Sequence, residues 1–238
     1  MKKLRIDIWS DIACPWCYVG KRRLEAALED FPHRDAVEVH WRAFELDPTA
    51  PRELPLPYAE RLAKKYRVSV EEAEGMIDRM TTLAAVDGLD FRFDRLRPGN
   101  MFDAHRVLHL AHVRGKQDAV KERFLRAYMT DGQLMAEPET LIRLAGEAGL
   151  DPEEVRATLA SDAYADAVRK DEDEAAELGI RGVPFFVIGR KYAVSGAQPA
   201  ELLLGAITKA WNEQLAPPAI FAEGEVCGPD GCAVPQQR

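Results

Sequence analysis

Leu4-Arg5-Ile6-Asp7-Ile8-Trp9-Ser10-Asp11-Ile12-Ala13-Cys14-Pro15-Trp16-Cys17-Tyr18-Val19-Gly20 carries two periodicities with a cysteine pair between them. Leu4, Ile6 and Ile8 alternate with Arg5, Asp7 and Trp9, the two-residue period of a strand. Tyr18 to Leu28 reads as an amphipathic helix, and alternation returns at Val37, Val39 and Trp41 as a second strand. Cys14 and Cys17 thus stand where strand turns into helix in a βαβ unit. Pro15 suits the first helical position, where the missing N–H has no intrahelical partner to lose. Prolines 48, 51, 55 and 57 then mark a stiff loop.

Beyond that loop, from Tyr58 to about Leu178, the periodicity is helical. Ser69 with Glu72 forms a capping-box signal and Gly88 closes that segment. Asn100 can cap a helix through Val113. Further helices fit Lys116 to Thr130, Pro138 to Glu147, Pro152 to Ala160 and Asp162 to Leu178. Pro184 to Ile188 then reads as a short apolar strand, with Lys191 to Ser195 as its partner across a turn at Gly189. Pro199 to Gln214 reads as a closing helix with Leu202, Leu203, Ala206, Ile207 and Trp211 turned inward. The expected division is a domain from residues 1–57 and 162–215, an inserted helical lobe at 58–161, and a tail at 216–238 carrying Cys227 and Cys232.

The chain has 238 residues, enough for a sizeable core, and a formal charge of -8 from 32 Lys+Arg and 40 Asp+Glu. An acidic balance argues against nucleic acid or an anionic membrane as a partner, since both call for basic patches. The start holds no apolar run of secretion-signal length, and no stretch approaches a membrane span, so a cytoplasmic location is expected. In that compartment two close cysteine pairs point to redox chemistry or metal rather than a disulfide scaffold.

A helix N-terminus stabilises a thiolate through unpaired N–H groups and the positive end of the macrodipole. Cys14 occupies that position and is expected to meet solvent as the attacking sulfur. Cys17, one turn further in, is placed to resolve the mixed disulfide. Half a zinc site is the competing reading, but neither pair is accompanied by a C-x-x-H or H-x3-H element. No metal and no cofactor are expected.

Ser10 to Gly20, the Ala104-His105-Arg106 stretch and Gly182-Val183-Pro184-Phe185-Phe186-Val187 resemble the DsbA-like thioredoxin-fold family, in particular its FrnE-like cytoplasmic branch. The resemblance implies an α/β fold: a thioredoxin fold with a large all-helical insertion between an N-terminal βαβ unit and a C-terminal ββα unit. It also implies thiol–disulfide oxidoreductase or isomerase activity, with Cys14 as nucleophile, Cys17 as resolving cysteine and Pro184 as the cis-proline facing them. Pro15, Trp16, Val183 and Pro184 are then the expected substrate contacts. The implied partners are disulfide-containing proteins and a cellular thiol or thioredoxin-type electron donor. Trp16 stands where periplasmic DsbA has histidine, which argues against a strong oxidant. Kappa-class glutathione transferases and chromene-carboxylate isomerases resemble the chain in fold, but typically present serine where Cys14 stands.

Other polar residues carry weaker signals. His105, His109 and His112 share one helical face with no evident carboxylate partner, which favours a structural role. Asp7 and Asp11 bracket the path to the cysteines, and either could relay protons to the resolving thiol. Lys21-Arg22-Arg23 reads as a solvated helix face. In the tail, Cys227-Gly228-Pro229-Asp230-Gly231-Cys232 is a turn sequence that can bring two thiols together, and the favoured reading is an auxiliary redox pair, with a passive tail disulfide or metal clip as the alternatives.

Overall fold

A computed structural model of the chain describes residues 3–54, 56–215, 227–228 and 231–232. Strand β1 (Leu4–Ser10) leads into helix α1 (Pro15–Glu29) and strand β2 (Val37–Ala43). Six helices come next: α2 (Tyr58–Tyr66), α3 (Val70–Val86), α4 (Phe102–Val113), α5 (Gln117–Met129), α6 (Pro138–Glu147) and α7 (Pro152–Leu159). After α8 (Ala165–Glu177) come strands β3 (Phe185–Ile188) and β4 (Tyr192–Ser195), and then α9 (Ala200–Leu215). The sheet order is β2-β1-β3-β4, with β1 parallel to β2 and the other pairs antiparallel. This is the mixed α/β thioredoxin fold with a large helical insertion.

The alternation of β1 is real but both its faces are covered. Leu4, Ile6 and Ile8 join Leu24 and Ala27 of α1 and Leu203, Ile207 and Trp211 of α9 in one core. On the other face Trp9 is buried with Ala175 and Ile180, and its indole Nε1 donates to the Asp171 carbonyl at 2.8 Å. Helix α8 thus lies over Trp9. The expected inward position of Leu202 is corrected, because buried α9 positions run 203, 207, 210 and 211, which leaves Leu202 on the exposed flank. The helix expected from Asp162 starts at Ala165, after Tyr164 takes a left-handed backbone conformation at φ 63°.

The outer edge of β2 is closed by a side chain. Gln117 accepts from the Trp41 N–H at 3.0 Å and donates to the Trp41 carbonyl at 2.8 Å, as a neighbouring strand would. The lobe has its own core, built around Leu110, Phe124, Leu125, Tyr128 and Leu141, and Ile12, Tyr18 and Val19 from the thiol-bearing segment belong to it. The capping box at the start of α3 forms, with Ser69 and Glu72 each bonded to the other's backbone N–H. Among the described residues no helix is long and apolar enough to cross a membrane.

Candidate active site

Cys14 is the N-cap of α1 and Pro15 its first residue. The turn before it is held by Asp11, whose Oδ1 accepts from the Ala13 N–H at 3.1 Å and whose Oδ2 accepts from the Leu46 N–H at 2.8 Å. One carboxylate thereby ties the β1–α1 turn to the loop after β2. His105 Nε2 lies 3.5 Å from Asp11 Oδ1. Burial pushes the Asp11 carboxyl up, but His105 and the two backbone donors outweigh it and hold the group below its ordinary value.

Cys14 is only 4% exposed, so the expectation of a solvent-facing sulfur is corrected. Its Sγ donates to the Val183 carbonyl at 3.4 Å. The Val183–Pro184 peptide bond is cis. Helices α2 and α3 stand opposite, leaving a cavity of about 720 Å³ that Cys14, Pro15, Trp16 and Val183 line from one side and Tyr58, Leu62 and Met80 from the other. Acidic Glu45 and Asp47 and basic Arg61, Lys65 and Arg79 also border it. Trp16 is 42% exposed and flanks the cavity next to Cys14.

Cys17 does not reach the cavity. It is 0% exposed, and both thiols are free. Burial drives the Cys17 thiol well above its ordinary value, the neighbouring Cys14 sulfur adds to this, and the Lys121 charge opposes it. The two sulfurs are therefore inequivalent: one borders the cavity and the other is enclosed behind it.

Several polar residues lie elsewhere than expected. Asp7 is not beside the cysteines; it accepts from Arg5 and Arg42 and serves the sheet. Lys21, Arg22 and Arg23 are not a solvated face, because the lobe packs on them. Lys21 is buried with Glu25, Asp118 and Glu122; Arg22 pairs with Glu122; and Arg23 pairs with Asp87 at 3.1 Å. The histidines do have carboxylate neighbours, supplied by distant segments: Asp11 for His105, and Asp171 for His109 at 3.0 Å. His112 packs against His40, with ring centroids 4.7 Å apart. Among the described residues no group of three His, Cys, Asp or Glu is placed to hold a metal ion.

Sequence reasoning missed Lys121, Glu45 and the contact made by Gly20. Lys121 had a legible signal: it interrupts the buried stripe Val120, Phe124, Leu125 and Tyr128 of α5 with a charge. In the tail, the backbone pairs Cys227 directly opposite Cys232 in an antiparallel ladder of β5 (Cys227–Gly228) with β6 (Gly231–Cys232). The expected turn at Pro229–Asp230 lies outside the described residues.

The fold has counterparts among known proteins. A probable DsbA oxidoreductase from Streptomyces coelicolor superposes with a TM-score of 0.85 at 51% identity, covering 98% of this chain and 100% of that one. The cytosolic disulfide reductase DsbM from Pseudomonas aeruginosa shares the fold at 19% identity and a TM-score of 0.58, over 89% of this chain and 98% of its own. The uncharacterised protein YwbO of Bacillus subtilis is 28% identical over 188 residues, which are 78% of this chain and 87% of YwbO. The model of the DSBA-like thioredoxin domain matches residues 5–208, and the chain belongs to that family.

Proposed function

We propose that this protein is a thiol–disulfide oxidoreductase acting on protein disulfides through Cys14 and Cys17, working in the cytoplasm as reductase or isomerase more than as net oxidant. The observation that carries the reading is the inequivalence of the two thiols: Cys14 borders the cavity at a helix N-terminus, and Cys17 is enclosed one turn behind it. Cys14 attacks one sulfur of a substrate disulfide; the other sulfur leaves with the bonding electron pair and takes a proton. Cys17 then attacks Cys14 Sγ, closing the Cys14–Cys17 disulfide and releasing the second substrate thiol. A cellular thiol or thioredoxin-type donor returns the two electrons. Trp16 and Val183 border the substrate path and Pro15 and Pro184 flank it; the tail pair Cys227/Cys232 acts as an auxiliary couple.

The test is insulin reduction together with refolding of a scrambled disulfide protein. Cys14→Ser is expected to abolish both activities, and Cys17→Ala to accumulate mixed disulfides with substrate. Trapping by Cys14→Ala instead overturns the assignment. The potential of the pair sets the direction: near ~-270 mV it favours a reductase, near ~-180 mV an isomerase and near ~-120 mV an oxidant. Rates unchanged in a Cys227→Ser/Cys232→Ser double variant reduce the tail to a passive appendage.

A further inference from the structure

We propose that Arg61 and Lys65 of α2 and Arg79 of α3 make the protein select disulfides in extended polypeptide segments whose cysteines are flanked by acidic residues. This substrate class rests on the exchange reading above.

The cavity wall opposite Cys14 is one face of each of two helices. On α2, Tyr58, Arg61, Leu62 and Lys65 recur at helical spacing, and all border the cavity. On α3, Met76, Met80 and Leu83 do the same, with Arg79 beside them. The only fully buried residues of these helices are small: Ala63 on α2, and Ala73 and Ala84 on α3. Leu62, Met76, Met80 and Leu83 are left half-buried toward the cavity. An apolar face turned to a reactive sulfur rather than to a core is a surface for an occupant. Its unbranched methionines can fit side chains of different shape. Trp16, Leu46 and Tyr66 also border the cavity and are 42%, 39% and 52% exposed, which carries the apolar surface outward. An extended chain covers that outer strip, whereas a low-mass thiol held inside leaves it bare.

Charge then sets the choice among such chains. Other arginines of the lobe are matched: Arg97 with Glu53, Arg114 with Glu154 and Arg123 with Glu147. Arg61, Lys65 and Arg79 take part in no ion pair among the described residues. The carboxylates that border the cavity are already engaged. Asp11 accepts from two backbone N–H groups, Glu45 pairs with Arg169 at 2.7 Å, and Asp47 accepts from Thr49 Oγ1 at 3.0 Å. On a chain of formal charge -8, three unmatched cations along one wall are a local reversal of sign. Their field reaches about 8–10 Å at physiological salt, the span of about three residues of extended chain. Because the cations and Cys14 border one cavity, acidic residues a few positions from the reacting cysteine come within that field.

The test uses three peptides, each closed by one disulfide with leucine beside the cysteines, whose next neighbours are Glu, Gln or Lys. Initial rates of reduction give kcat/KM for each, divided by the rate of the same peptide with dithiothreitol to remove intrinsic differences in reactivity. Wild type is expected to prefer the Glu peptide over the Lys peptide about tenfold, or about 1.4 kcal/mol. The ratio should fall to within about twofold of unity in an Arg61→Gln/Lys65→Gln/Arg79→Gln variant. Arg61→Glu/Lys65→Glu should invert it. Equal values for all three peptides in wild type overturn the proposal alone, and so does a preference that survives in the folded triple variant. Glutathione disulfide reduced faster than the Glu peptide, with that advantage lost in the triple variant, assigns the cations to a small anionic thiol and overturns the polypeptide reading. Reduction of no peptide by wild type overturns the exchange reading and the selection with it. Should the variants not fold, salt decides in wild type: the preference should shrink to about twofold or less as ionic strength rises to 1 M, where the screening length falls to about 3 Å. A ratio independent of salt overturns the role of charge.

Discussion

Gly20 on α1 faces Pro184 so closely that a Cβ added there would come within 2.9 Å of the proline Cγ and 3.3 Å of Phe186 Cζ. The missing side chain lets α1 lie against the entry to β3, and so fixes how near Cys14 comes to the Val183 carbonyl. Alanine would gain about 1 kcal/mol of helix propensity, while overpacking costs about 1–3 kcal/mol. Gly20→Ala is therefore expected to lose only about 1 kcal/mol in a urea titration, yet to slow insulin reduction about tenfold through the displaced Pro184.

Asp171 joins three elements beneath the sheet. Its carboxylate accepts from Arg42 at 2.7 Å and from the Ala43 N–H at 2.9 Å, with His109 alongside. Asp171→Ala strands these donors in a buried place and is expected to cost about 3–5 kcal/mol, read as a lowered thermal midpoint. Burial pushes the Asp171 carboxyl up, but His109, the Ala43 N–H and Arg42 hold it below its ordinary 3.8. Its contribution is thus complete above about pH 4 and is lost as the pH falls through the lower folded value. The alanine variant should lose less further stability than wild type on acidification below pH 4.

Glu45 has the opposite sign. Burial raises its carboxyl to about 7, despite the Arg169 partner. The folded protein therefore keeps a proton that the unfolded chain releases, and stability falls as pH rises from about 4.5 to 7. Glu45→Gln should remove that fall and leave the protein about 2 kcal/mol more stable than wild type at pH 8. Guanidinium titrations at pH 5 and pH 8 check it; an equal pH effect in both proteins refutes it.

Trp16 presents its indole beside the cavity mouth rather than to a core. Trp16→Ala should leave the unfolding midpoint within about 0.5 kcal/mol of wild type. For a peptide disulfide, KM should rise about fivefold with kcat little changed, the loss of about 1 kcal/mol of uniform binding. A fall in kcat with KM constant would place the indole in the chemical step instead.

What the sequence made legible was local. The alternation of β1, the helix start at Pro15 and the first-turn prolines of α6 and α7 each depend on neighbours a few residues away. The roles of Lys21, Arg22 and His109 were not legible, because their partners Asp118, Glu122 and Asp171 arrive through packing of a long insertion. Periodicity shows that Lys21 lies on a helix, but not that another helix will cover it. Lys121 is the intermediate case: its place in an apolar stripe was visible, and only the fold shows that it is fully buried with the Trp41 ring beside its nitrogen.

Helix α1 contributes Tyr18 and Val19 to the lobe's core and Leu24 and Ala27 to the sheet's core. It is a beam common to both halves, so neither half is a cassette that can be lifted out whole. Excising the lobe to make a minimal thioredoxin would bare Ile12, Tyr18 and Val19 directly around the cysteines. Grafting this lobe onto another thioredoxin frame would equally require transplanting the cysteine-bearing helix with it.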